Sequence, residues 1–469
     1  MKENELTFPG GKCEEELNER SNKYWETKHI FRRVYIMQEK KQTSAVTKWM
    51  TLIIVAIAGG LMTKLPYLRE TYMVPLQEAT GATKTQLGLI MSAYGIVNFI
   101  CYFPGGILAD KFSCKKLIIF SCFGTAAAGL WYWTMPGFVG LVIIHGIFAI
   151  TTVFTFWAAM VKSINNLGGP DEQGRLFGFL EGGRGLIGTL VAFGSVAVFG
   201  KAIDQVGGMK NAIMYYSILL IIAGILAMIF LQDNKPVQTD GKKKNSLNFK
   251  DFMEVAKMPT VWLCGALGIC NYSALIFHGY LTAYLSEAYG LSDTMVANLN
   301  IVRTYFMMMV GSFVAGFVSD KVGSRIKFIQ YVFVGMAVFA TVYLLIPTGG
   351  AAALPLIVAN FLCFGLCLYS IKALYFSTID EVFVPKRLAG TASGVISLVT
   401  YAPEMFLYTV SGNMVDKYTE TSTPLRGYQN CFTAMAVMSL IGFVCGAVLR
   451  YLNKKQRAKM EAEGINELA

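Results

Sequence analysis

The chain has 469 residues, 54% of them hydrophobic and only 15% charged, with a formal net charge of +11 and a mean hydropathy of +0.48. A soluble domain carries about one-quarter charged residues, so this composition argues against a soluble fold. The basic surplus is spread over the terminal segments, alternate short loops and a central linker, which argues against a nucleic-acid partner.

The first 45 residues are polar and charged, with no short apolar core before a small-residue cleavage site, so no cleavable signal peptide is read there. Within them, Tyr24 to Tyr35 mixes aromatics with Lys28, Arg32 and Arg33. That pattern fits an interfacial helix on an anionic leaflet or a cytoplasmic tail. Apolar runs of about 20 residues follow, the length that crosses a bilayer core of roughly 30 Å as helix. Twelve spans are predicted, at 48–76, 85–110, 116–135, 138–163, 174–200, 211–231, 260–286, 294–318, 326–346, 353–378, 388–414 and 427–451.

Gln232 to Lys250 is polar and basic, without apolar periodicity. The expected organisation is therefore an N-terminal segment 1–47, a six-helix bundle 48–231, a linker 232–259, a second six-helix bundle 260–452 and a tail 453–469. Basic residues mark the linker (Lys242, Lys243, Lys244) and the C-terminus (Arg450, Lys454, Lys455, Arg457). The connections near Met135-Pro136, Ser292-Asp293 and Pro347 to Gly350 carry no Lys or Arg. By the positive-inside rule the termini and linker lie in the cytoplasm, in a multi-pass protein of the plasma (inner) membrane. The ten cysteines lie mostly in apolar spans and read as small core residues.

The two bundles repeat each other. Gly106-Ile107-Leu108-Ala109-Asp110-Lys111 recurs as Gly316-Phe317-Val318-Ser319-Asp320-Lys321, 210 positions later. Lys162 and Lys372 share that offset. Arg175-Leu176-Phe177-Gly178 and Gly182 parallel Arg387-Leu388-Ala389-Gly390 and Gly394, where glycines four apart are expected to let helices approach closely. Duplicated helical membrane proteins are mostly transporters, because two similar halves can rock about a site held between them.

Twelve spans, the six-plus-six division and the repeated loop resemble the major facilitator superfamily. The resemblance implies an all-α membrane protein with twelve transmembrane helices in two pseudo-symmetric six-helix bundles. It implies that Asp110, Lys111, Asp320 and Arg325 form a structural gate that latches one conformation. The first loop departs from the family pattern at Ser113, while the second keeps its glycine at Gly323. Tyr67-Leu68-Arg69 followed by Pro75, together with Pro385 to Gly394, is similar to the organic-anion carriers and especially the organophosphate:phosphate antiporters. Their seventh helix carries a second phosphate-binding arginine where this chain has Phe277-His278-Gly279-Tyr280. Their fifth helix has Trp-Asn and His-Asn where this chain has Leu180 to Gly185.

A charge in hydrocarbon costs several kcal/mol unless it faces a cavity or a partner. Charges far from span ends are Lys64, Arg69, Glu181, Arg184, Lys372 and Glu404, with Arg303 and His278 as further candidates. The cations outnumber the anions, which favours an anionic substrate gripped by arginine. The expected substrate-binding residues are Arg69, Lys64, Arg184, Lys372, His278, Tyr67 and Asn271. For Arg69 the competing reading is an arginine that snorkels to the interface. Glu181 and Glu404 are expected to carry protons as coupling ions, against structural pairs with Arg184 and Lys372.

No phosphate loop, metal-ligand cluster or nucleophile elbow occurs, so neither a cofactor, a metal nor an enzyme is expected. The favoured reading is a monomeric, proton-coupled importer of a small organic anion such as a sugar acid or other carboxylate. Anion exchange of the sugar phosphate/phosphate type, drug efflux and a transporter-like membrane sensor stay open.

Overall fold

A computed structural model of the chain describes residues 45–167, 172–232, 249–348, 350–385 and 388–462. Among these residues all regular structure is helical. The Tyr24 to Tyr35 stretch, Lys386 and Arg387 lie outside the described residues.

Among the described residues ten helices are long and apolar enough to cross a membrane. They are spans two (Lys84–Lys111), three (Cys114–Trp133), four (Phe138–Asn165), five (Gln173–Phe199), six (Gln205–Phe230), seven (Pro259–Tyr289), eight (Asp293–Val322), nine (Arg325–Leu345), ten (Leu354–Leu374) and twelve (Arg426–Ala462). Spans one and eleven complete the expected twelve, and both are broken. Span one runs from Ala45 to Leu61, turns through residues 62–67, and resumes as Leu68–Thr71 and Met73–Thr80. Span eleven runs Ala389–Tyr401, tightens to a 3-10 turn at Ala402–Met405, and resumes as Leu407–Thr419.

Proline explains both breaks. Pro66 and Pro403 lack the N–H that a continuing helix needs, and each restricts the residue before it. Span seven also has a joint, at Tyr280 between Pro259–Gly279 and Leu281–Tyr289. Irregular backbone at membrane depth is tolerated where protein buries it or where it lines a cavity. A helix at Phe249–Ala256 sits where the sequence reads as an irregular linker.

The first six spans meet the last six where spans one and eleven break, and at the helix ends that carry Lys84 and Asp416. There the start of span two packs along the end of span eleven. A Cβ on Gly88 would run into the Tyr408 carbonyl, and one on Gly412 into that of Lys84, so two reciprocal glycines bring these backbones together. Asp416 accepts from the backbone N–H groups of Lys84 (3.2 Å) and Thr85 (2.6 Å) and from the Thr85 hydroxyl (2.6 Å). A carboxylate at a helix N-terminus satisfies free N–H donors and complements the helix dipole. Lys84 Nζ lies 2.8 Å from Glu287 of span seven, which also accepts from the Tyr428 hydroxyl at 2.8 Å.

Toward the starts of spans five and eleven, Gly178, Gly182, Gly390 and Gly394 have open space around them. The close approach expected at these glycines is not made in this conformation. The close approaches occur instead where spans two and eleven cross.

Candidate functional site

The broken stretch of span one points two cations inward. Lys64 is 8% exposed and Arg69 3%. Lys64 Nζ sits 3.9 Å from the centre of the Tyr305 ring of span eight, and Gly188 of span five leaves room for it. Arg69 lies between the rings of Tyr280 and Tyr408, at 4.8 Å and 4.9 Å. Lys64 Nζ and Arg69 Nε and Nη1 have no hydrogen-bond partner. Burial at this level is not the geometry of an interfacial, snorkelling arginine.

Around these cations the two halves exchange polar contacts. Tyr67 donates its hydroxyl to Glu404 of span eleven, which is 6% exposed in the 3-10 turn. Asn300 donates to the Thr71 hydroxyl at 3.1 Å. Arg303 of span eight, 2% exposed, reaches toward Glu70, with Nη2 3.9 Å from the carboxylate. Arg303 Nη1 is 2.9 Å from His278 Nδ1, and His278 Nε2 is 3.2 Å from the Tyr343 hydroxyl. Arginine has no acceptor to offer, so His278 accepts at Nδ1, which makes the ring neutral. Phe361 and Phe364 stack on its two faces.

A second group lies on span five. Arg184 Nη1 is 2.6 Å from Glu181, three residues earlier, and the guanidinium covers the Trp157 ring at 5.3 Å. The Glu181 side chain is 61% exposed. Such an i, i+3 pair on an open face contributes little to stability. Lys372 of span ten lies within electrostatic reach of Arg184, Glu181 and Glu404, with its Nζ over the Tyr369 ring at 5.7 Å. Asn271 is buried on span seven with a side-chain oxygen that has no partner.

The Major Facilitator Superfamily profile matches residues 50–407. The chain belongs to that superfamily. It is a membrane transporter with the twelve-helix fold of two pseudo-symmetric six-helix bundles. It is 29% identical to the inner membrane protein YihN of Escherichia coli over 424 residues, covering 89% of this chain and 99% of that one. It is 23% identical to a hexuronate transporter of Bacillus subtilis (79% and 89% covered) and 22% identical to a glycerol-3-phosphate transporter of that organism (79% and 86% covered). A solved bacterial homologue of the lysosomal transporter Spinster, inward-facing and unoccupied, shares the fold with a TM-score of 0.67 at 14% identity, covering 88% of this chain and 98% of that one.

Of the residues singled out from the sequence, the structure gathers Lys64, Tyr67, Arg69 and Glu404 where spans one and eleven break. It sets Glu181, Arg184 and Lys372 together beside them. His278 meets Arg303 rather than open space. The repeated loops stand apart, at the ends of spans two and eight. Lys111, Asp320 and Lys321 are exposed there, and the side chain of Asp110 lies outside the described residues. Arg325 donates from Nη1 to the Ser377 carbonyl at 3.0 Å, while Glu381 accepts from the hydroxyl of Ser324 (2.9 Å) and the backbone N–H of Arg325 (2.5 Å) and so caps span nine.

Sequence reasoning missed Glu70, Glu287, Glu381 and Asp416. The signal for Glu70 was present: an acid directly beside Arg69, in the stretch broken by Pro66. The other three lie near helix ends, where a charge needs no special explanation.

Proposed function

We propose that this transporter carries a small organic anion, such as a sugar acid or another carboxylate, into the cell with protons. The observation that carries the reading is the pair Lys64 and Arg69, two buried cations of which Lys64 Nζ and Arg69 Nε and Nη1 lack acceptors and which form no ion pair among the described residues. A buried charge without a partner is costly. An anion arriving between spans one, seven, eight and eleven supplies the missing partner, and arginine can grip a carboxylate with two N–H groups. The hexuronate and glycerol-3-phosphate transporters among its relatives support an anionic cargo.

In this proposal Glu404 and Glu181 carry the coupling protons. Glu404 is tied through Tyr67 to the helix that bears Arg69, so its protonation bears on the substrate-binding segment. Arg184, Lys372, Asn271 and the Arg303–His278 pair complete the cavity wall. The bundles 48–231 and 260–452, joined by the linker 232–259, rock about this site in a monomer with both termini in the cytoplasm. Asp110, Lys111, Asp320 and Arg325 latch the state closed on the terminal side.

The test is transport into proteoliposomes. Organic anions accumulate under an inward proton gradient with the wild type, and Glu404→Gln and Glu181→Gln stop accumulation while sparing exchange. Normal accumulation by both variants would remove the coupling role; exchange without proton-driven accumulation in the wild type would favour an exchanger.

A further inference from the structure

Arg303 is the most enclosed cation of the site, and the fold spends several features on it. It sits in a π-helical turn, Val302–Phe306, inside span eight. Such turns interrupt the regular ladder and recur at functional positions. His278, fully buried between two phenylalanines, holds Nη1 and cannot neutralise it because the ring is uncharged. Thr304 accepts from Nη2 at 3.4 Å. The remaining donor, Nε, has no partner.

Among the described residues, the one carboxylate that reaches this guanidinium is Glu70, and it reaches it loosely, at 3.9 Å. The opposing oxygen of Glu70, Oε1, is buried with no hydrogen-bond partner. A built structural pair would bring both oxygens onto the guanidinium fork. Glu70 instead sits on the more open side of Arg303, with 18% of its side chain exposed against 2% for Arg303. Room for it comes from Gly279, where a Cβ would stand 2.8 Å from Glu70 Oε2. Glu70 is also the residue after Arg69, on the short helix Leu68–Thr71 of the broken span one.

We infer that Glu70 is a built-in stand-in for the cargo: it occupies Arg303 while the site is empty, and the carried anion displaces it to use Arg303 as a second anion-binding position. This rests on the organic-anion reading above and deepens it. The favoured cargo then has a second acceptor group, beyond the one that meets Arg69, able to take N–H donors from Arg303. Glu70 also makes the empty site selective, because a cargo with one weak acceptor cannot repay the loss of the Arg303–Glu70 contact.

The experiment uses the purified full-length protein and inorganic sulfate as the probe, with thermal unfolding as the readout and sodium chloride at matched ionic strength as the control. Sulfate stabilises many proteins by exclusion, so the readout is the difference between variants. In Glu70→Gln the stand-in is gone, and the midpoint concentration of sulfate falls about tenfold, equivalent to about 1.4 kcal/mol. Glu70→Asp, which withdraws the carboxylate by one methylene, shifts the midpoint the same way and by less. Glu70→Gln combined with Arg303→Gln returns it to the wild-type value. Equal midpoints in wild type, Glu70→Gln and Glu70→Asp would overturn the inference, as would a gain that survives in the double variant. Organic-anion uptake that depends on Arg69 but shows no sulfate effect of Glu70 would sink this inference alone. A sulfate gain in a protein that moves no organic anion would sink only the reading of the cargo.

Discussion

The Tyr67 hydroxyl donates to the Glu404 carboxylate across the two halves of the transporter, joining the broken stretch of span one to that of span eleven. Removing that donor leaves a buried acceptor unsatisfied, which costs about 1–3 kcal/mol. Tyr67→Phe is therefore expected to lower the unfolding temperature and to weaken proton-driven accumulation more than exchange. Paired accumulation and exchange assays on the same proteoliposomes check this. Equal loss in both would show that the contact only supports the fold.

Lys64 separates stability from function in the opposite direction. Its ammonium is buried over the Tyr305 ring with no hydrogen-bond acceptor. Replacing buried charge with an apolar group of similar volume is neutral or stabilising by about 1–4 kcal/mol. Lys64→Met is expected to unfold at a higher temperature than wild type and to bind organic anions more weakly. A variant that unfolds earlier and still transports would show that Lys64 is structural.

Asp416 ties span eleven to span two by capping the N-terminal end of span two. An N-cap is worth about 0.5–2 kcal/mol. Asp416→Ala is expected to shift the population toward the state in which these helix ends part, by up to about 30-fold, since each 1.4 kcal/mol is tenfold. Spin labels on the outer ends of spans two and eleven would then report longer distances in the variant. Unchanged distances would show that the reciprocal glycines alone hold this closure.

Gly182 and Gly394 face open space here, so added side chains do not strain this conformation. If the terminal side closes during transport, these positions pack then. Gly394→Leu is expected to leave the unfolding temperature within a few degrees while slowing transport severely, because surface changes away from packed features cost about 0.5 kcal/mol or less. Wild-type transport rates in Gly394→Leu and Gly182→Leu would show that the glycines never meet a neighbour.

The repeat, the twelve spans and the charged residues out of place in them were all legible in the sequence, because each is a local pattern of apolar length and isolated charge. Span eleven shows the limit. Pro403 announced a disturbance, yet the 3-10 turn and its contact with Tyr67 depend on a residue 337 positions away. Glu70 was passed over, because nothing local in the chain shows that Arg303 of span eight comes within 3.9 Å of its carboxylate. Asp416 and Glu287 were passed over because they lie near helix ends, and their partners on span two are distant in the chain. His278 read as a substrate-binding candidate, and its neutral, accepting role follows from Arg303, which reaches it from another helix.

The account depends most on Arg69 as the residue that recognises an anionic cargo. The direct measurement is uptake of radiolabelled glucuronate, glycerol 3-phosphate and a panel of simple carboxylates and sulfonates, with organic cations as controls, by wild type and Arg69→Gln in proteoliposomes. The account predicts uptake of at least one anion and no cation by the wild type, and loss of at least about 100-fold in the variant, in line with a buried charge-assisted contact of about 3 kcal/mol. Transport of cations in place of anions, or wild-type anion uptake by Arg69→Gln, would contradict it.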